Sequence, residues 1–224
     1  MKRILKGVEP DFFTEWKNAT IPTWSENPKD WDWGELKNPE KDRLREILFE
    51  EQGFICCYCN RGLQGILTKM EHFFPKQADK YPSKMFDYDN LLIACHGGEK
   101  DLRPRFLYCD ATKGDKEPPL ISPLQTDCES YFHFTTTGNI KAKNNDANSV
   151  STIALLNLNN QKLIELRRTA IDTYIEICME DTQTDEEFEQ NMRGVVEDLK
   201  QRQDGKFAPF CTAVIGAFQY YLNP

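Results

Sequence analysis

Cys56-Cys57-Tyr58-Cys59, then Met70-Glu71-His72-Phe73-Phe74-Pro75-Lys76, then Asp89-Asn90-Leu91-Leu92-Ile93-Ala94-Cys95, then Cys109-Asp110-Ala111-Thr112-Lys113-Gly114: in this order two pairs of cysteines bracket an acid-histidine pair and an asparagine. Cys56 and Cys59 have the C-x-x-C spacing of a zinc knuckle, which turns two thiolates toward one ion. Cys95 and Cys109 complete a set of four ligands drawn from distant segments. A small strand-and-helix unit has too little core to hold itself, so a metal staple has a physical purpose there. The competing reading is a set of unrelated buried thiols. The second pair is not a C-x-x-C, because thirteen residues, His96 to Tyr108, lie between Cys95 and Cys109. That leaves His96 as a rival for the fourth position. Cys57 points away from the metal in ordinary knuckle geometry, and Cys128, Cys178 and Cys211 read as plain buried thiols.

At 224 residues the chain can bury a real core, as one compact domain or two small ones. Its 39% hydrophobic and 29% charged content is ordinary for a globular protein. No apolar run approaches a membrane span, and the basic start Met1-Lys2-Arg3 has no apolar stretch behind it. The expectation is therefore a cytoplasmic protein without a membrane partner. In that reducing compartment, paired cysteines read as metal ligands rather than disulfides. The net charge of −8 is unevenly spread: residues 1–53 sum to −3, 54–120 to +1, 121–150 to −1 and 151–224 to −5. Phosphate neutralisation supplies most nucleic-acid affinity, so a chain of this balance grips nucleic acid weakly unless a partner helps.

Residues 1–37 hold all four tryptophans, Trp16, Trp24, Trp31 and Trp33, with little periodicity, and read as an irregular arm wrapped on the core. Asn38-Pro39 opens a helix, with Asn38 as its N-cap, carrying Leu44, Ile47 and Leu48 on one stripe; Gly53 closes it. Gly65–Phe74 reads as a hairpin strand and Leu91–Ala94 as its short mate. A helix can start at Cys109 and run until Pro118-Pro119. A strand pair turning at Gly138-Asn139 follows. Then come a short helix over Val150–Leu156, a long one capped by Asn159, one opened by the capping box Thr184-Asp185-Glu186-Glu187, and a last one from Pro209. The fold class is α+β. Its expected parts are an N-terminal arm and lead-in helix (1–53), a metal-stapled strand-strand-helix core (54–120), and a connecting segment with a C-terminal helical region (121–224).

The order acid-His, Asn, Cys-Asp among paired cysteines resembles the HNH, or ββα-metal, nucleases. The resemblance extends along most of the chain to one branch, the HNH subunit of Septu antiphage systems (PtuB) and its retron-associated relatives. The opening Met-Lys-Arg-Ile-Leu-Lys-Gly-x-Glu-Pro, the lead Glu51-Gln52-Gly53 and the unit Leu155-Leu156-Asn157-Leu158-Asn159, with Leu163 and Arg167 behind it, carry that likeness. It implies a zinc-stapled ββα-metal core and phosphodiester hydrolysis, with DNA the usual target and RNA, including tRNA, also open. His72 would be the general base, Glu71 and Asp110 ligands of a catalytic Mg²⁺ or Mn²⁺, and Asn90 the residue fixing the loop that orients the base. Cys56, Cys59, Cys95 and Cys109 would hold structural Zn²⁺.

Each assignment has a plainer alternative. His72 could be structural, Asn90 a turn residue, and Asp110 only a cap of the helix it starts. Lys113 could reach a substrate phosphate or lie on solvated surface. Lys76, Lys80, Arg103 and Arg105 could track a nucleic-acid backbone or be solvated, and His133 reads as packed. The resemblance also implies an ABC/SMC-like ATPase subunit (PtuA-like) as partner, and in the retron setting a reverse transcriptase with its msDNA. The chain itself has no G-x-x-x-x-G-K-[ST] loop. The alternative function is a catalytically silent, zinc-stapled scaffold of that ATPase; a stand-alone nuclease is disfavoured by the acidic charge.

Overall fold

Leu91-Leu92-Ile93-Ala94-Cys95 is apolar throughout, and every one of these residues is buried, as an unbroken apolar run in a strand requires. In the computed structural model, which describes residues 1–21, 27–76, 80–98, 103–180 and 182–222, this run is strand β2 (Leu91–Cys95). It pairs antiparallel with β1 (Thr68–His72), placing Thr68 opposite Cys95 and His72 opposite Leu91. The hairpin thus carries a cysteine at one end and the histidine at the other. A single turn of helix, α3 (Asp110–Lys113), stands after it. The expected run to Pro118 is cut short at Gly114, whose φ of 51° is a positive-φ backbone that glycine adopts freely and a helix cannot continue through.

The N-terminal segment is more ordered than its composition suggests. It contains helix α1 (Asp11–Thr20), with Phe13 fully buried. Trp16 stacks on Phe13 at 5.9 Å and meets Phe86 edge-on at 5.2 Å. So short a helix owes its stability to this packing rather than to propensity. Trp31 and Trp33 also close on Phe86, at 5.9 and 5.5 Å, while Trp24 lies outside the described residues. Helix α2 (Glu40–Glu51) buries Leu44 and Leu48, and Pro39, not Asn38, takes its N-cap position.

Beyond α3, strands β3 (Phe132–Phe134) and β4 (Ile140–Ala142) form a second antiparallel pair. Helix α4 (Ala147–Leu155) is capped by the Asp146 side chain. Helix α5 (Gln161–Met179) is capped by Asn160, one residue later than expected, and α6 (Asp185–Lys200) opens with the full Thr184/Glu187 capping box. Helix α7 (Cys211–Leu222) ends the described chain. The architecture is therefore α+β, with seven α-helices and two two-stranded sheets among the described residues. The main core draws on the arm, the hairpin and the helical part together, through Phe13, Leu44, Leu92, Ile121, Phe132 and Leu163. A smaller core, including Ile171, Met192 and Phe218, ties α5, α6 and α7. Among the described residues no helix is long and apolar enough to cross a membrane.

Candidate metal centre and adjacent cleft

Cys56, Cys59, Cys95 and Cys109 converge: their four sulfurs all lie within 4.8 Å of one another, fully enclosed. Cys56 and Cys109 are 4.0 Å apart and Cys59 and Cys95 3.8 Å. Zinc–sulfur bonds of about 2.3 Å in a tetrahedron set sulfurs ~3.8 Å apart, so the four thiols are placed to hold a metal ion such as zinc. The knuckle closes on itself, with the Cys56 amide donating to Arg61 O at 2.9 Å and the Asn60 amide to Cys56 O at 3.1 Å. The Cys95 amide donates to Cys56 Sγ at 3.3 Å. His96, the rival fourth ligand, turns its ring to the carbonyl of Gly98, and the four-thiol set is complete without it. Cys57 stands outside the set, and burial pushes its thiol well above the ordinary value. Among the described residues no second group of three or more Cys, His, Asp or Glu atoms converges in this way.

The long insertion after Cys95 is folded back so that Cys109 reaches its partners. The Tyr108 amide donates to Gly97 O at 2.8 Å. Gly97 has φ +72°, and a Cβ there would sit 1.8 Å from the Tyr108 carbonyl oxygen, so only glycine fits. The turn after α4 completes the clamp. Leu156 O accepts from the Cys109 amide at 2.9 Å. Asn157 Nδ2 donates to Leu107 O at 2.7 Å and Arg105 O at 3.2 Å, and Asn160 Nδ2 to Arg105 O at 3.1 Å. Asn159 pairs with both backbone groups of Ile140 at 2.9 Å. The Leu155–Asn159 unit noticed in the sequence is thus a backbone clamp that delivers Cys109.

Next to the cluster is a cleft of about 280 Å³ lined by Lys69, Glu71, His72, Lys76, Asp110 and Lys113, among others. His72 is 6% exposed, with its ring edge-on to Trp33 at 4.4 Å. Its Nε2 lies 3.0 Å from Met85 O. A carbonyl only accepts, so Nε2 carries the proton and Nδ1 is the basic nitrogen. Burial, then the positive charge of Lys76, push the imidazole down to about 4. Asn90 is buried and clamps the loop below: Oδ1 accepts from the Phe74 amide at 2.7 Å, and Nδ2 donates to Phe74 O at 2.9 Å and Lys84 O at 2.8 Å.

Glu71 is 3% exposed. Tyr58 Oη donates to its Oε1 at 2.8 Å, and Lys113 Nζ lies 2.8 Å from the same oxygen. Burial, then a hydrogen bond to Asp110, raise Glu71 to about 8. Burial also pushes Asp110 up, but the neighbouring Glu71 and the ammonium of Lys69 outweigh that and leave it lowered. Burial and the neighbouring acid thus keep Glu71 protonated to a higher pH than an ordinary carboxylate. Lys69 Nζ stands 2.8 Å from Asp110 Oδ2, poorly aligned for a hydrogen bond, so the contact is an ion pair. Asp110 does not cap α3; Cys109 holds the cap position and no side chain bonds there.

Lys113 departs from both sequence readings, which put its amine at solvent. It is 1% exposed, and besides Glu71 it donates to His72 O at 2.8 Å. Two buried acceptors that need a cation outweigh the desolvation of the ammonium. Lys76 lines the cleft, whereas Arg103 and Arg105 are exposed and do not; Arg105 lies over Phe106 at 4.7 Å. His133 is exposed, not packed, because it alternates outward between buried Phe132 and Phe134. The sequence reading did not single out Tyr58 or Lys69, and it took Trp33 only as packing of the N-terminal arm. Lys69 was within reach, since residues two apart in a strand share a face and Glu71 follows it by two. A scan against protein-family models finds no match for the chain, and a search of curated proteins finds none.

The buried imidazole makes a testable contribution to stability. Its folded value near 4 lies below the ordinary value of 6.5, so the unfolded state binds more protons between them. That contribution is intact above pH 6.5 and fades as the pH falls toward 4. Between pH 7 and pH 5 the loss is about 2 kcal/mol. Urea denaturation of wild type and His72→Gln at both pH values, without divalent cations, measures it: wild type should lose that much more than the variant. An unchanged difference would exclude a neutral, buried His72.

Proposed function

We propose that this chain is a metal-dependent HNH endonuclease, the effector subunit of a Septu-type or retron-associated antiphage assembly. The observation that carries the reading is the meeting of His72, Glu71 and Asp110 in one cleft beside the four-cysteine cluster. The three come from two segments far apart in the chain, in the order of the HNH motif. His72 supplies a neutral imidazole whose Nδ1 takes the proton of an attacking water, while Met85 O and the Asn90 clamp hold the ring. Tyr58 and Lys113 both engage Glu71 Oε1 and leave Oε2 to other partners. Two acids lining one cleft are a hard-oxygen donor set, so Glu71 and Asp110 would hold Mg²⁺ or Mn²⁺. When bound, that ion supplies charge neutralisation at the phosphate and help for the leaving oxygen. Lys69 is exposed enough to leave Asp110 for substrate or solvent, and Lys76 stands at the mouth for a phosphate.

The acidic chain supports an ABC/SMC-like ATPase partner that supplies grip on DNA or RNA, with a reverse transcriptase and its msDNA present in a retron setting. A silent scaffold bound to the same ATPase is the second reading, favoured by the buried lysine that already stands 2.8 Å from Glu71 Oε1. Co-expression with the neighbouring ATPase, followed by cleavage assays on DNA and RNA in Mg²⁺ or EDTA, separates them. The expected result is a co-eluting complex with Mg²⁺-dependent cleavage that Asp110→Ala abolishes. A complex inert on both substrates establishes the scaffold; efficient cutting by the isolated chain at physiological salt removes the partner.

A further inference from the structure

Arg167, on α5, is 1% exposed and among the largest fully buried side chains of the protein. Its Nη1 donates to Leu158 O at 2.8 Å and Gly138 O at 3.2 Å, and the guanidinium lies 5.5 Å from the Phe134 ring centre. Its Nε has no hydrogen-bond partner. Among the described residues no carboxylate stands within ion-pair distance of it. A guanidinium does not shed its charge in a protein, and a buried charge without a counter-charge is costly. Burial pushes the pKa of its guanidinium down, and the groups that act against this, favouring the charged form, are Cys59 and Cys109. The backbone makes the link direct: the turn whose Leu158 carbonyl holds Arg167 presents its Leu156 carbonyl to the Cys109 amide.

Four thiolates around one zinc ion form a doubly negative unit, and this one is wholly enclosed. We infer that Arg167 is the counter-charge of the metal–thiolate cluster, tying metal retention to the seating of α5. The inference rests on the metal reading of the four cysteines. With metal bound, the anionic cluster and the buried cation compensate each other. Without metal the cluster no longer carries that double charge, and Arg167 loses its compensation. Metal should therefore stabilise the chain more with Arg167 present than without it.

The test uses the full chain with zinc as the probe. Zinc affinity is measured by chelator competition at pH 7, and thermal unfolding is followed with and without zinc, for wild type, Arg167→Met and Arg167→Lys. Arg167→Met should bind zinc about 10- to 100-fold more weakly, in the range of lost outer-shell partners. Its metal-free form should be at least as stable as metal-free wild type. Arg167→Lys keeps the charge and cannot make both carbonyl bonds, and should hold zinc within a few-fold of wild type. Wild-type zinc affinity in Arg167→Met, or equal destabilisation of its loaded and metal-free forms, would overturn the inference and leave Arg167 as a brace for Gly138 and Leu158. Should Arg167→Met fail to fold, Arg167→Lys decides: wild-type affinity supports the counter-charge, and affinity lost with the carbonyl bonds overturns it. A wild-type chain that neither carries nor takes up zinc would overturn the metal reading itself, a result separate from either of these.

Discussion

Replacing any one of Cys56, Cys59, Cys95 and Cys109 with alanine, or stripping the metal with a strong chelator, should unfold the middle of the chain. The hairpin has five residues in each strand, and α3 is one turn. Neither element is stable alone in water. What joins the knuckle, the end of β2 and the start of α3 is the convergence of the four sulfurs. A structural zinc site is worth about 10–16 kcal/mol of apparent binding energy at neutral pH, against a typical total stability of about 5–15 kcal/mol. Losing one ligand therefore removes most of the margin. The cleft goes with it, because Asp110 follows Cys109 directly and Lys113 is one turn further on. Cys178→Ala, in the smaller core, should keep its metal and lose only packing. Elemental analysis with far-ultraviolet circular dichroism checks this: one zinc per chain, and a large fall in melting temperature when it is lost, with the α5–α7 core left to melt. A metal-free chain that melts cooperatively at the same temperature would remove the staple.

What could be read from the sequence was whatever local chemistry forces. Knuckle spacing turns Cys56 and Cys59 toward one point, and these two do converge with Cys95 and Cys109, which the order of the motif parts rather than their spacing had added. The apolar run Leu91–Cys95 and the capping box at Thr184 are equally local, and both elements form as expected. Other features depend on contacts made far along the chain. Helix α1 has only Phe12, Phe13 and Trp16 to mark it, and it stands because Phe86 receives that tryptophan. Lys113 reads as a surface residue on composition, and only the approach of Glu71 and the His72 carbonyl accounts for its burial. The Leu155–Asn159 unit was visible as a pattern, but its work is done through the carbonyls of Arg105 and Leu107, which no spacing rule reaches. His72, Glu71 and Asp110 were named as a set from a resemblance; their shared cleft adds Lys113 against Glu71 and the ring of Trp33 against His72.

His72→Gln should remove cleavage by the assembled enzyme while leaving the zinc and the fold in place. Alanine at this position opens a void beneath Trp33, which packs 4.4 Å from the imidazole, so lost activity there could reflect lost packing. Glutamine fills much of that space, and its amide can still donate to Met85 O, but it cannot accept a proton from water at any working pH. A positioned general base contributes about 10²- to 10⁴-fold, so kcat should fall by that factor with substrate affinity little changed. His72 is not among the four converging ligands, so zinc content should equal that of wild type. The pH profile gives a second reading. An imidazole pushed down to about 4 stays neutral well below pH 6.5, and wild-type activity should not show the acid limb near 6.5 of an exposed histidine. Single-turnover cleavage by the complex across that range measures both. A His72→Gln complex that still cuts within a few-fold of wild type, with zinc retained, would take the base away from His72.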